Sequence, residues 1–164
     1  MKNILAMLFF FTVISCNEIK FVYDEKENLS NPLYEKTNVD ISGVDLGYLY
    51  SYIPVVFGTN KTDDFNLEVK VYEKKTKASV KTNQAVSNLK YELRFLYALR
   101  SNDLNCITYK KEVVSVFDVM PKSSGYNFGT DASLERNYEL AITDNLNRFL
   151  SFISESDLNS CNED

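Results

Sequence analysis

The 164-residue chain contains no histidine and no tryptophan, and it has only three cysteines, three prolines and five glycines. The missing histidine excludes His-ligated metal sites, Ser-His-Asp and Cys-His catalysis, and a histidine general base. The glycines are dispersed, and no P-loop, G-x-S-x-G or C-x-x-C motif occurs. What remains is an enzyme that uses carboxylates or a lysine, or a binding protein that has no catalytic residue, no metal and no cofactor.

The chain is acidic and of ordinary hydrophobicity. Its 18 Lys and Arg residues stand against 23 Asp and Glu residues, which gives a net charge of −5, and 45% of its residues are hydrophobic. Nucleic-acid binding needs a basic footprint that releases counterions, so we expect no nucleic-acid partner. At this length one domain buries a core without help from metals or disulfides.

The N-terminus has the features of an export signal. A lysine at position 2 precedes an apolar run over residues 4–14, which is too short for the roughly 20 residues of a spanning helix and typical of a signal peptide. Cys16 follows a small residue at the end of this run, so the site resembles a bacterial lipobox. We expect Cys16 to be lipidated. Because Asn17 follows it, we expect the lipoprotein to be anchored in the outer membrane and to face the periplasm. The alternative is a plain secretory signal with an incidental cysteine.

The rest of the chain changes from strands to a long helix. Helical spacing of apolar residues predicts a helix that Thr130 or Asp131 caps and that runs to about Ser154. A weaker signal predicts a short helix within Val44–Phe57, interrupted by Pro54. Alternation of apolar and polar residues predicts strands at 39–42, 65–72, 89–99 and 107–119, the last two as an antiparallel hairpin. A helix over one face of a sheet is an α+β sandwich.

Several of these features occur in one order that resembles a known family. Besides the lipobox and the strands, they are Tyr-Glu-Leu-Arg-Phe at 91–95, Ser-Gly-Tyr-Asn-Phe at 124–128 and the helix over 132–153. The sequence resembles the lipopolysaccharide-assembly lipoproteins, the LptE-like family. The resemblance implies a two-layer sandwich in which two helices cover a four-stranded mixed sheet. It also implies a non-catalytic lipoprotein that binds lipopolysaccharide and plugs the outer-membrane barrel of the export translocon, assisting its assembly.

These expectations divide the chain into four segments. They are a lipoprotein signal peptide at 1–15, a lipidated N-terminus and linker at 16–38, the LptE-like domain at 39–154 and an acidic tail at 155–164.

The strongest candidate binding site is a lysine-rich turn in this acidic chain. Ammonium groups suit the phosphates of a lipid headgroup or of inner-core sugars, so we expect these lysines to contact lipopolysaccharide. The alternative is a solvated run that only protects an edge strand. The candidate residues are Lys70, Lys74, Lys75, Lys77 and Lys81.

Cys106 and Cys161 are the cysteines that remain after lipidation. In an oxidising compartment they either pair, closing a loop of about 55 residues, or stay as independent thiols.

Two other functions remain open. One is an enzyme that uses Asp63 and Asp64, or Asp103, as metal-binding or basic carboxylates, although these residues also suit turns. The other is an auxiliary lipoprotein of a different lipid-transport system.

Tyrosines at 48, 50 and 52 are a candidate contact with the barrel, or simply part of the packing.

Overall fold

The computed structural model describes residues 31–59, 62–80, 86–120 and 130–161. Predictions for the signal peptide, Cys16, Lys81 and the loop at 124–128 lie outside these residues.

Four strands form one mixed sheet in the order β1-β2-β3-β4. β1 pairs with β2 in parallel, and β2–β3 and β3–β4 are antiparallel pairs. Strands joined in parallel need a crossover, which a helix supplies between β1 and β2. The bounds are Thr37–Gly43 for β1, Phe65–Val80 for β2, Val86–Ser101 for β3 and Cys106–Val119 for β4.

The β3–β4 hairpin closes through a short turn. Asn105 takes a left-handed conformation with φ of 51°, which asparagine tolerates better than most residues. The backbone N–H of Leu104 donates to Ser101 Oγ at 3.3 Å. The register then shifts between Leu99 and Arg100, the irregularity that an extra residue introduces in β4.

Two helices cover one face of the sheet. α1 spans Gly47–Phe57 and α2 spans Thr130–Ser154. α1 starts three residues later than Val44 and continues through Pro54, which accepts a hydrogen bond from the N–H of Gly58 at 3.0 Å. The helix ends within one turn of Pro54, so the missing backbone N–H of the proline shortens α1 very little. In the part of the chain that the structure describes, no helix is both long enough and apolar enough to cross a membrane.

The core lies between the helices and this face of the sheet. Alternate residues are buried there from Leu67 to Val71 of β2 and from Tyr91 to Leu99 of β3, as the sequence alternation predicted. Phe149 of α2 stacks on Tyr97 of β3 with 4.0 Å between ring centroids. The predicted α+β sandwich, a four-stranded mixed sheet with two helices, is confirmed. The largest fully buried side chains include Phe57, Leu67, Phe95, Leu99, Ile142, Leu146 and Ile153.

Residues assigned to the linker contribute to the packed domain. Leu33 is completely buried in the core. Asn31 holds this turn in place, because its side chain donates to the Val56 carbonyl at 2.9 Å and accepts from the Leu33 N–H at 3.0 Å. The packing therefore begins before residue 39, where the predicted domain started.

Gly43 ends β1 in a conformation that favours glycine. Its φ is +99°, and a Cβ at this position would collide with the carbonyl oxygen of Val71. The next residue, Val44, donates its N–H to that same carbonyl at 3.0 Å. Glycine thus allows the chain to leave β1 close to β2 and enter α1.

Candidate functional site

The pleat of β2 divides the predicted lysine cluster between the two faces of the sheet. Val69 and Val71 are fully buried under the helices. Lys75 and Lys77 are separated from them by even numbers of residues, so they lie on the same face of the strand. Lys70 and Lys74 are separated from these residues by odd numbers of positions, so they lie on the face without helices. The structure therefore distributes the four described lysines over both faces, two on each, rather than placing them in one cluster.

Lys75 lies beside an aromatic cluster on the helix side. Its Nζ is 5.0 Å from the centroid of the Tyr91 ring, within the range of a cation–π contact. Tyr91 stacks on Phe117 with centroids 5.0 Å apart, and Tyr138 of α2 meets both rings edge-on at 5.7 and 5.1 Å. We call Lys75, Lys77, Tyr91, Phe117 and Tyr138 the lysine–aromatic end.

A tyrosine–carboxylate hydrogen bond joins α2 to this part of β2. The Tyr138 hydroxyl donates to Glu73 Oε2 at 2.6 Å. Desolvation, followed by this hydrogen bond and the charge of Glu73, raises the pKa of Tyr138. The hydroxyl therefore stays protonated and keeps α2 attached to β2 at neutral pH.

A groove of about 480 Å³ opens beside this hydrogen bond, between α1, α2 and β2. Leu46 and Tyr48 line it from the α1 side, and Leu134 and Ile142 line it from α2. Asp45, Glu73 and Glu135 also line it, and none of its described lining residues is a lysine or an arginine, so the groove itself suits a hydrocarbon group rather than an anion.

The other two lysines lie on a surface of mixed charge. Lys70 Nζ is 5.4 Å from the centroid of the Tyr72 ring. Arg94, on the neighbouring strand, pairs with Glu92 at 3.2 Å and with Glu112 at 3.3 Å. Carboxylates among the cations weaken this face as a phosphate site.

A buried polar network lies at the centre of the core, and the sequence pattern did not indicate it. Asn145 of α2 is fully buried, and its amide donates to the Val113 carbonyl at 3.1 Å and to Ser115 Oγ at 3.0 Å. Its Oδ1 accepts the Tyr97 hydroxyl at 2.8 Å. Burial raises the pKa of Tyr97. The network ties α2 to β3 and β4 in one register.

The tyrosines of α1 separate according to helical spacing. Tyr48 and Tyr52 stack at 5.5 Å, and the Tyr48 hydroxyl lies 3.5 Å from Thr143 Oγ1 of α2. Tyr50 is half exposed on the outer side of the helix. Of the three rings, Tyr50 therefore presents the largest surface to a partner.

The aspartates of the enzyme hypothesis lie at turns. Asp63 has a left-handed φ of 56°. Its carbonyl accepts the Asn102 side-chain amide, and the Asp64 carbonyl accepts the Asn102 N–H at 3.0 Å. Asp103 is exposed in the β3–β4 turn. Across the described ranges, no group of three or more Cys, Asp or Glu side chains has the arrangement of a metal site.

Cys106 and Cys161 form a disulfide. It joins the start of β4 to the segment after α2, so the described part of the acidic tail is tied to the sheet. Leu158 packs against the core between the helix end and this bridge.

Known structures share this fold, although no family model and no curated sequence matches the chain. A lipoprotein from Caulobacter crescentus CB15 has a TM-score of 0.55 and 9% identity, over 73% of this chain and 88% of that one. A minor lipoprotein from Acinetobacter baumannii has a TM-score of 0.55 and 16% identity, over 74% and 92%. Rare lipoprotein B from Shewanella oneidensis has a TM-score of 0.51 and 8% identity, over 73% and 97%. The similarity is one of fold.

Proposed function

We propose that this chain is a bacterial lipoprotein of the lipopolysaccharide-assembly type, anchored through Cys16 to the periplasmic side of the outer membrane. The observation that carries the proposal is the fold, which the chain shares with three solved bacterial lipoproteins over nearly three quarters of its length. The lipobox-like sequence at Cys16 supports the same class from the sequence alone. The acyl chains of a lipoprotein provide firm anchoring where a single chain gives marginal binding.

The ligand of this proposal is lipopolysaccharide, bound at the lysine–aromatic end. Lys75 and Lys77 supply ammonium groups for phosphates on the headgroup or inner-core sugars. The half-buried rings of Phe117 and Tyr138, which pack on the buried Tyr91, and the apolar walls of the groove beside them suit the hydrocarbon part. In this role the protein binds and presents a lipid and catalyses no reaction.

The partner of this proposal is the outer-membrane barrel of the lipopolysaccharide translocon. The chain would sit in the barrel as a plug and assist its assembly. Chemical cross-linking in cells followed by purification tests this directly. A large outer-membrane barrel in the cross-linked product supports the proposal, whereas an inner-membrane transporter supports an auxiliary lipoprotein of another lipid-transport system.

Charge reversal on the two faces of the sheet tests the lipid site. Lys75→Glu/Lys77→Glu reverses two charges on the side of the sheet that the helices cover. Lys74→Glu/Lys90→Glu reverses two charges at the same level along the strands, on the face without helices. We expect the first variant to lose retention on immobilised lipopolysaccharide and the second to keep it. Equal retention of both variants, at the level of the parent chain, contradicts the site.

Metabolic labelling with a fatty-acid probe tests the anchor. We expect the parent chain to be labelled and a Cys16→Ala variant to carry no label. Continued labelling of Cys16→Ala contradicts lipidation at this residue.

A further inference from the structure

The outer side of α1 is exposed and carries no charge. None of the 11 residues of this helix is charged, and those on its outer side are Gly47, Tyr50, Ser51, Pro54 and Val55. Tyr50 is 50% exposed and Val55 is 53% exposed. The Ser51 hydroxyl donates to the Tyr48 carbonyl at 2.8 Å, so its proton is used within the helix. A helix that is hydrophobic on all sides is normally buried, so the composition of α1 indicates that something covers this side.

α2 has the opposite pattern in the same molecule. Its exposed residues include Glu135, Arg136, Asp144 and Arg148, and the last two pair at 3.7 Å. Leu140 is 58% exposed and lies four residues from both Arg136 and Asp144. A single apolar side chain among charges is ordinary on a protein surface. The uncharged outer side of α1 is therefore a property of that helix and not of the helix layer.

Tyr34 extends this surface past the end of α1. It is 49% exposed, and its Cζ would be 3.4 Å from a Cβ placed at Gly58, the residue after the helix. With half of each side chain exposed, Tyr34 and Tyr50 alone offer roughly 200 Å² to a partner. We call Tyr34, Tyr50, Pro54 and Val55 the α1 patch.

We propose that the α1 patch lies against the surface of the lipid bilayer in which the protein is anchored. This inference rests on the proposed anchor at Cys16. Tyrosine has an apolar ring and a polar tip, so it suits the boundary between headgroups and hydrocarbon. The exposed charges next to the patch are Glu35, Lys36 and Asp45, two carboxylates against one ammonium. The contact therefore depends on apolar groups and not on attraction to anionic lipid.

The place where the described chain begins favours a bilayer as the occupant. Asn31, the first described residue, donates from its side chain to the Val56 carbonyl in the last turn of α1, at 2.9 Å. Residues 17–30 separate it from Cys16 and span at most about 50 Å when fully extended. The anchor is thus attached at the end of the domain that carries the α1 patch. A tether of this length gives the patch a high effective concentration at the bilayer, so a contact too weak for a free domain is sufficient.

The missing tryptophan provides a direct test of this contact. Because the chain contains no tryptophan, Tyr50→Trp places a single fluorescent reporter in the α1 patch. Val116→Trp is the matched control, since Val116 is 49% exposed but lies on the face of the sheet without helices. Each full chain, carrying the fatty-acid label, is reconstituted in neutral phosphatidylcholine vesicles whose acyl chains are brominated near the headgroups. We expect the emission of Tyr50→Trp to shift to shorter wavelength and to be quenched by bromine. We expect the emission of Val116→Trp to remain that of a tryptophan in water.

A double variant shows whether the patch, and not the new tryptophan, makes the contact. Tyr50→Trp/Val55→Glu keeps the reporter and adds a carboxylate beside it, so we expect quenching to fall because a charge resists leaving water. Quenching that Val55→Glu does not reduce overturns the proposal, and so does equal quenching of Tyr50→Trp and Val116→Trp. An unquenched Tyr50→Trp also overturns it and assigns this side of α1 to a protein partner such as the barrel.

The anchor is measured separately in the same samples. A chain that takes up no fatty-acid label and does not float with the vesicles contradicts lipidation at Cys16. A labelled chain that floats with the vesicles but whose tryptophan at position 50 stays in water contradicts only the docking of the α1 patch.

Discussion

The buried hydrogen bonds of Asn145 provide a measurable test of how α2 is held on the sheet. Asn145→Ala removes one acceptor and two donated bonds, at 2.8, 3.1 and 3.0 Å, from a site with no exposure to solvent. The Tyr97 hydroxyl then loses its acceptor inside the core. Each unsatisfied buried group costs about 1–3 kcal/mol, so we expect Asn145→Ala to destabilise the fold by about 3 kcal/mol.

Tyr97→Phe removes the other end of the same bond. It leaves Asn145 Oδ1 unpaired but keeps the ring stacked on Phe149, so we expect a loss of about 1.5 kcal/mol. In the double variant Tyr97→Phe/Asn145→Ala, no tyrosine hydroxyl is left unpaired. The double variant should therefore be less destabilised than the sum of the singles, by about 1–2 kcal/mol.

Urea unfolding followed by circular dichroism, with the disulfide intact, measures these changes. For a domain of this size we expect Tyr97→Phe to lower the midpoint by about 1 M. Tyr50→Phe on the exposed side of α1 is the control and should change stability by less than about 0.5 kcal/mol. Additive effects of the two core substitutions would refute the argument that Tyr97 and Asn145 depend on each other.

Three further predictions concern the same fold. Burial raises the pKa of Tyr97 above its ordinary value of 10.0, so the unfolded chain loses this proton first. Below pH 10 this effect leaves the free energy of unfolding unchanged, and above pH 10 it should lower the free energy of unfolding by up to about 1.4 kcal/mol per pH unit. When unfolding is measured at about pH 9 and at about pH 11, the decrease should be smaller for Tyr97→Phe than for the parent chain. Cys106→Ser/Cys161→Ser opens a loop with a sequence separation of 55 and should lower the free energy of unfolding by roughly 4 kcal/mol, measured against the oxidised parent. Gly43→Ala should cost about 2 kcal/mol or more in thermal unfolding, because its Cβ collides with the Val71 carbonyl in a left-handed conformation; an unchanged melting temperature contradicts this.

Local periodicity was sufficient for most of the fold. The alternation in β3 and β4 predicted both strands and their hairpin, and the apolar spacing of α2 predicted this helix and its end near Ser154. These elements were predictable because each buries one face along most of its length. α1 was less clear, since Pro54 looked like an interruption and instead lies in the last turn of the helix.

The features that sequence reasoning missed depend on contacts between distant residues. Asn145 looked like an ordinary polar position in α2, and only the packing of α2 on the sheet makes it a buried partner of Tyr97. Leu33 lay in a polar stretch, so its complete burial depended on tertiary structure. Neither residue belongs to a periodic pattern that would have identified it.

The lysine run shows how a correct pattern led to an incomplete site. Its density of charge was visible in the sequence, but a strand with a period of two places consecutive lysines on opposite faces. Lys75 and Lys77 then lie with the aromatic rings on the helix side, next to a groove that Asp45, Glu73 and Glu135 line together with apolar residues. Lys70 lies on the opposite face, in one row with Leu96 and Glu112. Substitutions that alternate along this strand therefore test its two faces separately.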